Sequence, residues 1–195
     1  MYAYLQGEFS YKSASQVHVD VNGVGYEVNI TLNTFAAIEM LTEGKLFTYL
    51  QIKEDAHTLY GFFEKEEKDV FVMLISVSGV GAATARMMLS SLRPEEVETA
   101  ITTGNLRLIE SVKGIGKKTA ERLVLELKDK VGNKTSTSSL TWGKGVYSME
   151  KDAVNALVAL GIVQKQAEIS VKKIISTEPD ITKLEDLIKK ALKAI

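Results

Sequence analysis

A Gly-apolar-Gly element occurs twice in the middle of this chain, and its repetition restricts what that region can fold into. Gly79-Val80-Gly81 and Gly114-Ile115-Gly116 lie 35 residues apart, and an apolar helical run follows each of them. A repeat of this period usually marks a duplicated supersecondary unit. Because glycine adopts positive φ at no steric cost, each element predicts a tight turn between two helices.

The helix that follows each turn offers a site for an anion. Its first backbone amides have no partner inside the helix, and the helix dipole favours negative charge there. Lys117, Lys118 and Arg122 fall in the first turns of the second such helix. Amides and lysines contact phosphates rather than base edges. We therefore expect sequence-independent DNA binding, with the two elements on the two strands of one duplex in its minor groove.

The glycines allow two other interpretations. A single Gly-x-Gly turn often serves only as a tight connection between packed helices, but two copies with matched flanks argue against that explanation. A dinucleotide-binding fingerprint needs a third glycine, which neither element supplies. A P-loop needs the order Gly-Lys-Thr, which Lys118 interrupts here. We expect this chain neither to bind nor to hydrolyse ATP.

Charge is distributed unevenly along the chain, whose net charge is −1. Residues 1–63 carry three basic and seven acidic side chains, whereas residues 112–131 carry six basic and three acidic ones. Any phosphate contact is therefore expected to be local. Cysteine is absent, which excludes thiolate chemistry and fits a cytoplasmic protein. We see no signal peptide, and no apolar run approaches the ~20 residues that span a membrane.

The first third of the chain predicts a small β-barrel. Val17, Val19 and Val21 alternate with polar residues, Asn22-Gly23 marks a turn, and the alternation resumes over residues 25–30. This pattern predicts a hairpin. Further strands are expected over 46–52 and 58–63, with a loop tip at 54–57. About five short strands in this length favour a closed barrel.

The rest of the chain predicts helices in two groups. One group includes a helix over 65–75 and a helix that starts at Pro94. Residues 132–148 are rich in Gly, Ser and Thr, a composition typical of a flexible linker. Beyond the linker, three short helices predict a minimal bundle. The expected core stripe of this bundle is Leu157, Leu160, Val171, Ile174, Leu187 and Leu192.

Several segments resemble the RuvA family of bacterial Holliday-junction recognition proteins. Residues 114–123 followed by 126–129 are similar to the family's second helix-hairpin-helix motif. Glu54-Asp55-Ala56 followed by 59–62 resembles the end of its barrel, and residues 20–28 resemble its early hairpin. The resemblance covers essentially the whole chain and implies an α+β, multidomain fold. Its expected parts are a five-stranded OB-like barrel (1–63), an all-α tandem helix-hairpin-helix domain (64–133), a flexible linker (134–148) and a three-helix UBA-like bundle (149–195).

The resemblance also implies a function. The chain would be a non-catalytic subunit that holds a four-way junction open, as a homotetramer or as two stacked tetramers, in recombination, DNA repair and the SOS response. Glu54 and Asp55 would form an acidic pin at the centre. The C-terminal bundle would bind RuvB, a hexameric ATP-driven motor, and the junction resolvase is a further implied partner. No cofactor or metal is expected in this chain.

One position departs from the family pattern. The family often has Pro-Lys after the first turn, whereas Ala82-Ala83 stands here and supplies no basic group. Arg86, one helical turn further, is the expected substitute. The expected DNA-binding residues are thus Gly79, Val80, Gly81, Arg86, Gly114, Ile115, Gly116, Lys117, Lys118 and Arg122.

Two alternatives from other functional classes remain. Paired hairpins also occur in DNA glycosylases, nucleases and ligases. A glycosylase of this kind needs a catalytic aspartate after its motif, and Asp129 is the only aspartate downstream of the second motif in its domain. A general protein-interaction adaptor would leave the doubled turn unexplained. His18 and His57 lack a second ligand at metal spacing. The tyrosines at 2, 4, 26, 49 and 60 could stack on bases, but filling or rimming the barrel is the favoured interpretation.

Overall fold

A computed structural model describes residues 2–135, 147–178, 181 and 183–194. The chain divides into two compact units, residues 1–139 and 140–195, so the expected barrel and hairpin domains pack together as one unit. Most of the linker expected at 134–148 lies outside the described residues. Within the described part of the chain, no helix is both long and apolar enough to cross a membrane.

The N-terminal part is the expected five-stranded closed barrel, with strand order β1-β2-β3-β5-β4. β3 and β5 pair in parallel, and every other neighbouring pair is antiparallel. One short helix, α1, connects β3 to β4. The bounds are β1 Tyr4–Ser13, β2 Gln16–Val21, β3 Val24–Ile30, α1 Leu32–Ile38, β4 Glu43–Ile52 and β5 His57–Phe62.

Local sequence explains the β2–β3 hairpin. Val17 and Val19 are fully buried while His18 faces outward, as the alternation predicts. Asn22 and Gly23 both have positive φ, 52° and 85°, the conformation of a two-residue hairpin turn. The Gly23 amide also donates to Asp20 Oδ1 at 2.8 Å.

The sequence patterns did not locate β1 or α1. α1 depends on contacts from elsewhere in the barrel. Thr31 is its N-cap and accepts a hydrogen bond from the Thr34 amide. At its other end, the Lys12 ammonium group on β1 donates to the carbonyl oxygens of Glu39 and Leu41 at 2.6 and 2.7 Å. A cation is favourable at a helix C-terminus because it complements the dipole.

In the described part of the same compact unit, five helices follow the barrel. They are α2 Lys65–Ile75, α3 Ala82–Ser91, α4 Pro94–Thr103, α5 Leu106–Glu110 and α6 Lys117–Thr135. The bounds of α2 match the prediction, and α4 begins with proline in its first turn, as expected. α4 ends at Gly104, whose φ is 70°, a left-handed conformation that glycine adopts without strain.

Strand β5 joins the barrel to the helices because both of its faces are covered. Tyr60 and Phe62 face the helices, with ring centroids 5.1 and 4.9 Å from the Phe71 ring on α2. Gly61 faces the barrel core, where an added Cβ would lie 2.5 Å from Val28 Cγ1. The barrel and the helical core are therefore packed against opposite sides of one strand.

A buried carboxylate reinforces the contact between the barrel and α2. Glu67 on α2 is 3% exposed and accepts hydrogen bonds from the hydroxyls of Thr31 and Thr34, the latter at 2.7 Å. Thr34 Oγ1 in turn accepts from the Phe63 amide at 3.0 Å. Burial raises the pKa of Glu67 from 4.5, the two threonine hydroxyls lower it in part, and nearby Glu64 raises it.

The C-terminal unit contains the three expected helices, α7 Tyr147–Ala159, α8 Gln164–Thr177 and α9 Leu184–Lys193. Gly161, with φ of 93°, terminates the first of them, as expected. Two members of the expected core stripe are wrong, because Leu160 is 63% and Leu192 39% exposed. The core of this unit comprises Ala153, Leu157, Ala167, Val171, Leu187 and Ala191.

We predict that Glu67→Ala lowers the free energy of unfolding by about 1–3 kcal/mol, because it leaves the two buried threonine hydroxyls without their acceptor. Urea denaturation followed by circular dichroism measures the change. Glu66→Ala, on the exposed side of the same helix turn, is the matched control and should change stability by less than about 0.5 kcal/mol.

The raised pKa of Glu67 also predicts a pH dependence. Between the unfolded-state value of 4.5 and the higher folded-state value, the folded protein binds more protons than the unfolded chain. Its stability therefore falls as the pH rises through this interval. Glu67→Gln should flatten this part of the stability profile, and an unchanged slope would contradict the assignment.

Candidate nucleic-acid interface

The first glycine turn connects α2 to α3 and presents its backbone to solvent. Gly79 is exposed and has φ of 93°, so only its conformation, and not crowding, demands glycine. The Val80 amide is engaged inside the turn, donating to the Val77 carbonyl at 3.0 Å. Gly81 is the N-cap of α3 and brings no capping side chain. The first amides of α3 are consequently left for an external acceptor.

The second turn, between α5 and α6, repeats this geometry. Gly114 also has φ of 93°, and the Ile115 amide donates to the Val112 carbonyl at 3.1 Å. In both copies the glycine carbonyl that precedes the helix accepts the first helical hydrogen bond, from Ala85 at 2.9 Å and from Ala120 at 3.0 Å. The sequence repeat is therefore a structural repeat.

The apolar residue between the two glycines is a core residue in both turns. Val80 and Ile115 are each 6% exposed and pack into the helical core. Their side chains were among the expected DNA-binding residues, but the structure turns them inward. They hold each turn to the helices, so only the turn backbone is presented outward.

Arg122 places the two turns side by side. Its guanidinium group donates to the Ser78 carbonyl in the first turn at 3.2 Å and forms an ion pair with Glu126 at 3.1 Å. A side chain from the helix after the second turn thus contacts the first turn. Lys117 and Lys118 are exposed on the first turn of that helix. The structure brings two open helix N-termini and these lysines into one region.

Arg86 was expected to supply a basic group beside the first turn, but its guanidinium group contacts the barrel. Its guanidinium group donates to Asn29 Oδ1 at 2.8 Å and to the Ser15 carbonyl at 3.2 Å, both on the barrel. The side chain is half-buried. Arg86 fastens α3 to the barrel, together with Asn33, which donates to the carbonyls of Leu89 and Leu92 at 2.6 and 3.1 Å.

Glu54 and Asp55 lie at the tip of the β4–β5 hairpin. The Lys53 amide donates to the Ala56 carbonyl at 2.9 Å and closes the turn, while Ile52 pairs with His57 at the end of the ladder. All residues from 52 to 57 are exposed. The two carboxylates therefore project from a hairpin that the long β4–β5 pairing holds in place.

Most of the tyrosines weighed as base-stacking groups serve the protein core or the barrel rim. Tyr49 and Tyr60 pack against Phe71, and Tyr26 lies edge-on to Tyr2, with ring centroids 6.0 Å apart. Tyr4 is about half exposed, and the Lys45 ammonium group lies 4.4 Å from its ring centroid.

The residues suggested for catalysis or metal binding show no such assembly in the described part of the chain. No group of three or more His, Asp or Glu side chains there could hold a metal ion. His18 packs on Tyr11, with ring centroids 4.8 Å apart, and His57 is exposed on the β4–β5 hairpin. The side chain of Asp129 lies outside the described residues.

Three family models match successive parts of the chain. The RuvA N-terminal domain matches residues 1–61, and the SAM-like helix-hairpin-helix tandem matches residues 71–129. The RuvA C-terminal domain matches residues 148–195. The matches agree with the order of barrel, paired turns and terminal bundle.

Similar proteins cover the chain from end to end. A protein of Flavobacterium psychrophilum is 47% identical over 193 residues, 99% of each chain. One of Christiangramia forsetii is 46% identical over 195 residues, and one of Bacteroides thetaiotaomicron is 42% identical over 204 residues, each covering 100% of both chains. All three are named Holliday junction branch migration complex subunit RuvA. On this fold, these paired turns and these full-length similarities, the chain belongs to the RuvA family.

Proposed function

We propose that this chain binds four-way DNA junctions and holds them open as the non-catalytic subunit of a branch migration complex. The observation that carries the proposal is the pair of glycine turns, which Arg122 holds next to each other with their helix N-termini open. RuvB, the partner motor, is the component that hydrolyses ATP. The complex acts in recombination and repair in the bacterial cytoplasm.

The two turns are suited to the two backbones of one DNA arm. Amides at helix N-termini bind phosphate oxygens, and the helix dipole adds to the attraction. Lys117 and Lys118 strengthen phosphate binding at the second turn. The first turn binds phosphate through backbone amides alone, because Arg86 is engaged with the barrel. Contacts of this kind set position without reading sequence, as a protein that follows a moving junction requires.

The acidic pin supplies selectivity rather than affinity. Carboxylates near phosphates are repulsive, so Glu54 and Asp55 oppose any DNA whose backbone runs across the hairpin tip. A continuous duplex does so, whereas an open junction leaves a gap between its four strands. Repulsion of the wrong substrate is a recognised way to gain specificity. Four copies around a four-way junction would place one pin beside each arm, and two tetramers would enclose the DNA from both sides.

The C-terminal unit is proposed to contact RuvB through the turn between α7 and α8. Leu160 and Val163 in this turn are 63% and 69% exposed, while Ile162 between them packs against the bundle core. Two exposed aliphatic side chains on one short turn are suited to a hydrophobic pocket on a partner. The junction resolvase is a further proposed partner of the assembled complex.

An enzymatic function is the alternative, and it is tested directly. Incubating the chain with Mg²⁺ and either branched or damaged DNA should leave both DNAs intact. Cleavage or base release that depends on the chain would contradict the proposal.

We predict that wild-type protein prefers a synthetic four-way junction over linear duplex with the same arms in a gel-shift competition. Glu54→Gln combined with Asp55→Asn removes the repulsion, so duplex binding should strengthen and the preference should fall about tenfold, or ~1.4 kcal/mol. Glu27→Gln combined with Glu43→Gln removes the same charge from exposed barrel positions and should preserve the preference. Equal binding of both DNAs by the wild type would overturn the proposed function.

We predict that the second turn dominates the salt dependence of DNA binding. The logarithm of affinity falls with that of salt in proportion to the phosphates contacted. Lys117→Ala combined with Lys118→Ala should therefore reduce the slope by as much as about two per bound chain. Arg86→Ala should leave the slope nearly unchanged and lower the free energy of unfolding by about 1 kcal/mol. A larger slope change for Arg86→Ala would show that Arg86 contacts phosphate.

We predict that Leu160→Ser combined with Val163→Ser weakens RuvB binding at least about tenfold, because it removes apolar area from the contact. Junction binding by the same variant should be unchanged, since the paired turns are intact. Ile169→Ser, at an exposed position on α8, is the control and should bind RuvB normally. Calorimetry with purified RuvB measures all three proteins.

A further inference from the structure

Ile52 is an exposed apolar side chain at the base of the pin. It is the last residue of β4, immediately before the turn that carries Glu54 and Asp55, and it is 65% exposed. Its position is well defined, because it pairs with His57 in the β4–β5 ladder and the turn beyond it is closed by a backbone hydrogen bond. The pin hairpin therefore presents a fixed aliphatic group beside its two carboxylates.

An exposed apolar residue on its own needs no explanation, since scattered ones are common on protein surfaces. The location of Ile52 gives it meaning. The neighbouring residues 53–57 are all exposed and, apart from Ala56, are polar or charged. Among residues 52–57, Ile52 is the one large aliphatic side chain.

The opened junction supplies an apolar surface. When the four arms spread apart, the base pair at the inner end of each arm loses its stacking neighbour, and its flat face is exposed to water. Amides, lysines and carboxylates cannot cover that face. Aliphatic side chains can, and proteins that unstack DNA commonly place Ile, Leu, Met or Phe against the opened step.

We propose that Ile52 packs against the unstacked base pair at the crossover and thereby stabilises the open junction. The proposal rests on the proposed function, which places the pin at the junction centre. The two kinds of side chain on the hairpin then have separate roles. Glu54 and Asp55 reject a continuous backbone by charge, and Ile52 compensates for the stacking that opening removes.

The test combines a protein change with a DNA change. Ile52→Thr keeps a β-branched residue suited to the strand and removes apolar contact. It is compared with wild type on an intact junction, on the same junction with abasic sites at the crossover, and on linear duplex. We expect Ile52→Thr to bind the intact junction about 5- to 10-fold more weakly, because less apolar area is buried. Duplex binding and the free energy of unfolding should be unchanged.

The abasic junction is decisive, because a direct contact appears as coupling between the two changes. Wild type and Ile52→Thr should bind it equally well. Val24→Thr, at a 54% exposed position in the barrel, is the matched control and should behave as wild type on all three DNAs. An equal loss on intact and abasic junctions, or no loss at all, would overturn the role of Ile52. Only a wild type without junction preference would count against the proposed function itself.

Discussion

The burial of β5 on both faces is the constraint on which the rest of the structure depends. One face completes the barrel core, and the other carries Tyr60 and Phe62 against Phe71. The strand begins at the tip of the β4–β5 hairpin and leads at its other end into α2, which ends just before the first glycine turn. Because close-packed cores resist deformation, this single strand fixes the position of the β4–β5 hairpin tip relative to the two glycine turns.

Polar contacts make this packing specific. A purely apolar contact would hold the barrel and the helices together but would tolerate small shifts between them. Three polar contacts each require a defined geometry: Glu67 with its two threonines, Asn33 of α1 with the carbonyl of Leu89 on α3, and Arg86 with Asn29. Burying the Glu67 carboxyl is costly, as its raised pKa indicates, and the two hydroxyl donors offset part of that cost. The contact between the barrel and the helices therefore combines hydrophobic packing with hydrogen bonds that set the orientation of the helices relative to the barrel.

Sequence patterns predicted the features that neighbouring residues determine. The glycine turns, the Asn22-Gly23 hairpin and the bounds of α2 follow from local conformational preference and periodicity. β1 and α1 were missed because pairing with distant strands and the Lys12 contact define them. Arg86 and Val80 could not be placed from sequence, since a basic or apolar residue beside a glycine turn fits either DNA or the protein core. For Glu67, the spacing of apolar residues along α2 gave no sign that two threonines of the barrel would surround its carboxylate.

The charge distribution explains why geometry, rather than electrostatic attraction, would govern recognition by this chain. A net charge of −1 provides little long-range steering of DNA, and one pair of turns with two lysines would contact few phosphates. A single copy should hold a single duplex weakly. Several copies joined around one centre bind much more tightly when all can engage at once, and gain nothing when geometry forbids it. Weak individual turns combined with a repulsive pin would therefore favour the one DNA form that offers four arms around an open centre.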